Sequence, residues 1–149
     1  MSYLNELVNN DILITALIGW FAAQVLKVIL VFICNKRIDF KRLTGSGGMP
    51  SSHSSISMAL SMSVGFECGF DSVQFAICMI LAFIVMYDAS GVRRSAGQQA
   101  AILNKLVADW ENGKFANTDK KLKELLGHSP VEVFAGAILG IVIAIIRYV

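Results

Sequence analysis

Residues 12–34 read ILITALIGWFAAQVLKVILVFIC, an apolar run that only Gln24 and Lys27 interrupt. A helix needs roughly 20 such residues to cross the hydrocarbon core of a bilayer. The stretch therefore predicts a membrane-spanning helix. The segment before it, Met1 to Asp11, has no Lys or Arg, which is not the pattern of a secretory signal, so we expect the helix to stay in the mature protein.

The composition of the whole chain also indicates that the protein lies in a lipid bilayer. Hydrophobic residues make up 55% of the 149 residues and charged residues only 16%, against about 25% charged residues in an average soluble protein. The length allows one domain, residues 1–149, with at most about four or five spanning helices. A net charge of +2 is too small to indicate nucleic-acid binding.

Three further apolar segments complete a predicted bundle of about four spanning helices. The second segment, Ser54 to Phe66, is short and rich in Ser and Met, and it forms a hairpin with the third, Val73 to Tyr87. The fourth runs from Val131 to Val149. The predicted fold is therefore an all-α, polytopic membrane helical bundle.

Small residues in the apolar segments are interpreted as packing residues. Gly136 and Gly140 lie at helix-packing spacing and could join helices within one chain or between two, so a homodimer is one expectation. The three cysteines, Cys34, Cys68 and Cys78, lack the spacing of metal ligands and are interpreted as small buried hydrophobes.

The polar stretch from Ala89 to His128 predicts a helical segment at the membrane surface. Apolar residues recur there at helical spacing, opposite polar ones, which is typical of an amphipathic helix. These apolar residues are Leu103, Leu106, Val107 and Trp110. A second short helix is predicted from Asp119 to Leu126, because Gly127 is a natural helix stop.

The distribution of basic residues predicts the orientation, since cytoplasmic loops carry an excess of Lys and Arg. The first and third connections contain eleven such residues: Lys36, Arg37, Lys41, Arg42, Arg93, Arg94, Lys105, Lys114, Lys120, Lys121 and Lys123. The N-terminus and the turn from Glu67 to Asp71 contain none. We therefore expect a multi-pass protein of the cell membrane, with both basic connections in the cytoplasm and both termini outside.

The chain has only two histidines and two prolines, and they fall in two short clusters. One cluster is Gly47 to Ser54, with His53, and the other is Gly127 to Glu132, with His128. Each begins a predicted spanning helix on the cytoplasmic side. A helix N-terminus presents unpaired N–H groups and about half a positive charge. Two such ends with a histidine on each therefore predict a phosphate pocket.

Structural roles remain open for the same regions. Ser129 to Glu132 matches a capping box, which stabilises the start of a helix. Lys27 shares a helix face with Gln24 and either points into a polar interior or snorkels to the membrane interface. Arg93 and Arg94 fit either phosphate ligands or ordinary cytoplasmic anchors.

Three motifs, in this order, resemble one family: GGMPSSHS at 47–54, DASGVRRSAGQQAAILN at 88–104 and GHSPVEVFAG at 127–136. Together they resemble the divergent branch of the PAP2, or type 2 phosphatidic acid phosphatase, superfamily, over nearly the whole chain. The resemblance implies a PAP2-like helical core and a membrane phosphatase. Its substrate would be a lipid phosphomonoester or diphosphate, such as phosphatidylglycerophosphate, hydrolysed through a phosphohistidine intermediate without a metal or other cofactor.

The resemblance also implies roles for individual residues. Pro50-Ser51-Ser52-His53 stands where PAP2 enzymes have Pro-Ser-Gly-His. Ser51 would therefore bind phosphate together with Ser52, which replaces the glycine, and His53 would protonate the leaving group. His128 matches the nucleophilic histidine, and Glu132 takes the place of an aspartate that orients the imidazole.

The chain departs from the family pattern in its basic residues. Arg93 and Arg94 precede His128 by more than thirty residues, whereas the superfamily has an arginine only a few residues before this histidine. Lys27 matches the lysine of the first signature only approximately. All three are expected to contact phosphate. PAP2 enzymes commonly open to the outside, whereas the loop charges here predict a cytoplasmic pocket.

Two other functions remain open beside the phosphatase. One is a non-catalytic membrane protein that binds or transports a lipid phosphate in the same pocket. The other is a vanadate-dependent haloperoxidase, which shares the pocket of the superfamily but is disfavoured by the membrane spans.

Overall fold

A computed structural model describes residues 2–36, 48–111 and 127–149, and all regular structure in these ranges is helical. The helices are α1 (Ser2–Val8), α2 (Asp11–Asn35), α3 (Ser52–Cys68), α4 (Val73–Ser90), α5 (Val92–Glu111) and α6 (Pro130–Tyr148). The all-α prediction is confirmed, and the four predicted apolar segments correspond to α2, α3, α4 and α6.

Three stretches within the described residues are long and apolar enough to cross a membrane: Asp11–Ile33, Val73–Val107 and Pro130–Tyr148. The fourth predicted span, α3, has only 17 residues. At a rise of about 1.5 Å per residue it extends roughly 26 Å, slightly less than the hydrocarbon thickness. The chain is therefore a helical membrane bundle with three clear candidate spans and a shorter helix among them.

Helix α3 lies in the centre of the bundle, packed against α2, α4 and α6. Glycines on its neighbours allow this close approach. A Cβ atom placed on Gly136 would lie 2.2 Å from the carbonyl oxygen of Ser51, and one on Gly140 would lie 2.3 Å from that of Ser55. The small-residue face of α6 thus packs within the chain, and it gives no support to the expected homodimer.

Serines make α3 polar, yet most of them are buried. Their hydroxyls donate to main-chain carbonyls one turn earlier: Ser57 to His53, Ser61 to Ser57 and Ser63 to Ala59, at 2.7–2.8 Å. In an apolar interior every polar group needs a partner, and this local bonding supplies one. The small serines also permit close packing on three sides.

The start of α3 and the start of α6 lie at the same end of the bundle, called the site end here. At this end the carbonyl of Ala89, near the end of α4, accepts a hydrogen bond from the main-chain N–H of His128 at 2.8 Å. The far end holds an ion pair between Arg147 and Asp11. It also holds the stacked rings of Phe66 and Tyr148, whose centroids are 5.5 Å apart.

Other predictions had mixed outcomes. The amphipathic helix is present as α5, where Leu103, Leu106 and Val107 are exposed, as expected for residues that face lipid. The short helix predicted from Asp119 to Leu126 lies outside the described residues. The burial predicted for Cys68 is wrong, because this residue lies next to the α3–α4 turn and is exposed.

Candidate functional site

His128 is the most strongly fixed side chain at the site end. It is 2% exposed, and its Nδ1 atom lies 3.0 Å from Oε2 of Glu132, one helical turn later. The same carboxylate oxygen accepts a hydrogen bond from the main-chain N–H of Ser129 at 3.1 Å. A carboxylate in this position favours the tautomer of the ring that carries its proton on Nδ1.

Glu132 also belongs to a complete capping box. Its main-chain N–H donates to the hydroxyl of Ser129, the N-cap of α6, at 3.3 Å. The two interpretations drawn from the sequence, helix cap and partner of histidine, are therefore both met by one side chain. The capping box fixes the carboxylate, and the carboxylate in turn orients the imidazole.

His53 is the second residue of α3, and its ring faces that of His128. The centroids of the two rings are 5.8 Å apart and their planes meet at 65°. The main-chain N–H of Ser51 donates to the carbonyl of Glu132 at 2.9 Å, which ties the start of α3 to the first turn of α6. The structure thus brings the two predicted imidazoles together across one small gap.

Lys27 reaches this region from the interior of α2. It is 2% exposed, and its ammonium donates to Oε1 of Gln24 and to the hydroxyl of Ser52, both at 3.1 Å. Its inward orientation, predicted from the face shared with Gln24, is confirmed, and snorkelling is excluded. In these contacts two of the three ammonium N–H donors are used, which leaves one for a ligand.

The described part of the predicted phosphate-binding segment, residues 48–54, leads into the first turn of α3. Ser51 is its N-cap and is fully buried, and its hydroxyl oxygen accepts from the main-chain N–H of Ser54 at 3.4 Å. Its hydroxyl hydrogen is the group that could donate to a phosphate. Ser52 is bound by Lys27. Both serines lie at the positive end of the α3 dipole.

Arg93 and Arg94 lie in the first turn of α5, just beyond the end of α4. Their side chains lie outside the described part of the structure, so their predicted contact with phosphate stays a prediction. The backbone places them after Ala89, the residue whose carbonyl binds the main chain of His128.

Sequence reasoning missed Ala89 as part of the site. Its contribution is a main-chain carbonyl, which any residue carries, so an alanine gives no signal of this contact. The position could have been found only from the motif around it, DASGVRR, which begins at Asp88.

The architecture and the site together define a class of protein. It is a helical membrane bundle in which two helix N-termini, two imidazoles and one buried ammonium converge. Such a set of donors and positive charge suits an anion with several oxygen atoms, of which phosphate is the common biological case. The carboxylate held against His128 adds the means to activate a nucleophile.

The chain belongs to the divergent PAP2 family, whose model matches residues 8–143. It is similar to YuiD of Bacillus subtilis (strain 168), described as an uncharacterized membrane protein. The two are 45% identical over 153 aligned positions, which cover 95% of this chain and 96% of the relative. No solved structure matches the chain. The resemblance predicted from the three motifs is confirmed, and so is the membrane location of the protein.

Proposed function

We propose that this protein is a lipid phosphate phosphatase that forms a phosphohistidine on His128. The observation that carries the proposal is the hydrogen bond between His128 Nδ1 and Glu132, with His53 on the facing helix. A buried imidazole held by a carboxylate is a competent nucleophile, and a second imidazole beside it can transfer protons.

In the first step, Nε2 of His128 attacks phosphorus and the bond from phosphorus to the lipid oxygen breaks. Protonated His53 donates its proton to the leaving oxygen, so the lipid departs as an alcohol, or as a lipid monophosphate when the substrate is a diphosphate. The positive charge that develops on the attacking imidazole of His128 is balanced by the Glu132 carboxylate. The products of this step are the phosphoenzyme and neutral His53.

In the second step, water attacks the phosphohistidine. Neutral His53 takes a proton from the water, the nitrogen–phosphorus bond breaks, and inorganic phosphate leaves. His128 regains its lone pair and His53 regains its proton, so the site returns to its starting state. The same imidazole thus serves as acid in one step and as base in the next.

Positive groups around the two histidines would stabilise the charge that spreads over the phosphoryl oxygens. Lys27 supplies a fixed cation, and the starts of α3 and α6 supply the positive ends of their helix dipoles. Arg93 and Arg94 are proposed to approach from α5. Such preorganised charge is the main catalytic device in phosphoryl transfer.

The proposed substrate is a lipid phosphate of the inner leaflet. The basic connections on both sides of the site predict that it opens to the cytoplasm of the cell. An intermediate of phospholipid synthesis with a terminal phosphate, such as phosphatidylglycerophosphate or phosphatidate, fits this location better than a carrier lipid recycled outside.

The test is release of phosphate by purified protein from phosphatidate, phosphatidylglycerophosphate and polyprenyl phosphates. Turnover and a trapped phosphoenzyme should both disappear in His128→Ala. In His53→Ala, a nitrophenyl phosphate should form the phosphoenzyme faster than a lipid phosphate does, because its leaving group needs no proton. Full activity of His128→Ala would overturn the mechanism. Tight binding of lipid phosphates without any release would favour the non-catalytic alternative.

A further inference from the structure

An apolar groove runs along the lipid-facing side of the bundle between α4 and α6, with α3 as its floor. Its volume is about 460 Å³, within the range of roughly 300–1,000 Å³ that is typical of small-molecule sites. Residues from all three helices line it, among them Met58, Phe83, Tyr87, Pro130, Phe134 and Ala137.

The groove begins beside the candidate site. Its end nearest the site is lined by Ser90 and Pro130. Ser90 follows Ala89, whose carbonyl binds the main chain of His128, and Pro130 lies two residues after His128. From Pro130 the lining extends to Ile141, a distance of roughly 17 Å along α6. A ligand whose head lies at His128 can therefore continue into the groove.

The mouth of the groove opens where lipid chains lie. Phe83 and Phe134 stand on its two sides and are 56% and 69% exposed. Both belong to stretches that can span a membrane. Direct contact between α4 and α6 is sparse, since each packs mainly on α3, and this leaves the space between them. The surroundings of the groove are therefore hydrocarbon, and its occupant should be apolar.

We propose that the groove binds one hydrocarbon chain of the lipid whose phosphate lies at His128. The proposal rests on the proposed function, and it adds that substrates enter sideways from the bilayer and are selected by their chain. The closeness of Ser90 and Pro130 to the site is the argument for a substrate chain over a bulk lipid. A bulk lipid would have no reason to place its phosphate between two imidazoles.

The first experiment narrows the groove in the full-length protein. Ala137→Phe adds a ring to the lining, and Ala76→Phe adds the same ring at an exposed position of α4 outside the groove. The readout is the ratio of kcat/KM for dioleoyl phosphatidate to that for glycerol phosphate. This ratio should fall about tenfold in Ala137→Phe, the effect of about two methylene groups losing contact, and should keep its wild-type value in Ala76→Phe. An unchanged ratio in both variants would overturn the proposal.

The second experiment does not depend on turnover. A phosphatidate with a diazirine in one chain is photoactivated on the wild-type protein in phosphatidylcholine vesicles, and labelled peptides are identified by mass spectrometry. We expect labelling of peptides that contain Phe83 and Phe134, abolished by excess phosphatidate and not by excess phosphatidylcholine. Equal competition by both lipids would mean a bulk-lipid surface, and this result would overturn the proposal.

The two experiments separate the possible failures. If labelling of α4 and α6 is competed by phosphatidate but no substrate releases phosphate, the phosphatase proposal is rejected and the chain-binding groove is supported. If phosphate release depends on His128 but the label is found elsewhere, the phosphatase proposal is supported and the chain-binding groove is rejected.

Discussion

Oε2 of Glu132 is the acceptor of two hydrogen bonds that have different consequences. The bond from the N–H of Ser129 closes the capping box of α6, and the bond from His128 Nδ1 orients the proposed nucleophile. Because the two bonds share one atom, removing the side chain would mix their effects. The structure nevertheless offers a pair of substitutions that separates them.

Glu132→Gln keeps the size of the side chain and removes the charge that balances an imidazolium. We expect kcat for phosphate release to fall by about a hundredfold or more, as for the loss of a partner in general acid–base chemistry. Ser129→Ala is the matched control, because it removes the cap hydroxyl and keeps the carboxylate. It should lower the free energy of unfolding by about 1 kcal/mol with a much smaller change in kcat. If Glu132→Gln lowered stability and left kcat unchanged, Glu132 would be only a helix cap.

Lys27 is a buried cation whose partners are neutral oxygen atoms of Gln24 and Ser52. An ammonium kept in the interior of a membrane protein is costly unless it binds something, so such residues commonly mark functional sites. The anion that completes its set of partners is, in our proposal, the phosphate of the substrate.

Lys27→Met retains most of the length of the side chain and removes its charge. Binding of phosphate or vanadate should weaken roughly ten- to hundredfold, the value of one charge-assisted hydrogen bond. Isothermal titration on purified protein measures this directly. Gln24→Met, which leaves the ammonium in place, should have a smaller effect. Wild-type affinity in Lys27→Met would show that the lysine has only a structural role.

At the scale of the helices, α3 explains why the bundle can hold a polar site. It is short, rich in serine and packed on three sides. Several of its serine hydroxyls donate to its own backbone, and that of Ser55 donates to the carbonyl of Gly19 in α2. Helix α3 begins beside Lys27, well inside α2, which ends at Asn35. The start of α3 is therefore recessed from the end of α2.

The contact between α6 and α3 depends on the absence of side chains at two glycines. Gly140→Ala would place a Cβ atom 2.3 Å from the carbonyl oxygen of Ser55. Overpacking of this kind costs about 1–3 kcal/mol, measured as the free energy of unfolding in mild detergent. Val142→Ile adds one carbon at an exposed position of the same helix and should stay within about 0.5 kcal/mol. Equal stability of the two variants would contradict this packing.

For the whole molecule, the main property to be tested is the side of the membrane that the site faces. The distribution of basic residues predicts that the site opens to the cytoplasm. The exposed Cys68 lies next to the α3–α4 turn at the far end of the bundle. It is therefore a native reference for the outside surface in the predicted orientation.

The orientation can be tested with a membrane-impermeant thiol reagent on single-cysteine proteins in intact cells. Cys68 alone should be labelled at once. Ser46→Cys and Asn117→Cys, in the basic connections outside the described residues, should be labelled only after the membrane is opened. Labelling of both before lysis, with Cys68 protected, would place the site outside and remove the preference for inner-leaflet substrates.

The sequence by itself determined the features that depend on near neighbours. Apolar runs of sufficient length predicted α2, α4 and α6, because a helix in lipid satisfies its own backbone groups. The capping box and the spacing of His128 and Glu132 were visible as well, since residues three or four positions apart meet on a helix surface. The short α1 gave no clear pattern and was not predicted.

Only the tertiary structure decided which distant residues meet. The facing of His53 and His128, the bond from Lys27 to Ser52 and the carbonyl of Ala89 each join separate helices. The central place of α3 was equally hidden, because its serines make it the least convincing span by composition. The physical reason is that helix packing is set by the shape of whole surfaces, here the glycine face of α6 against α3, which local periodicity does not specify.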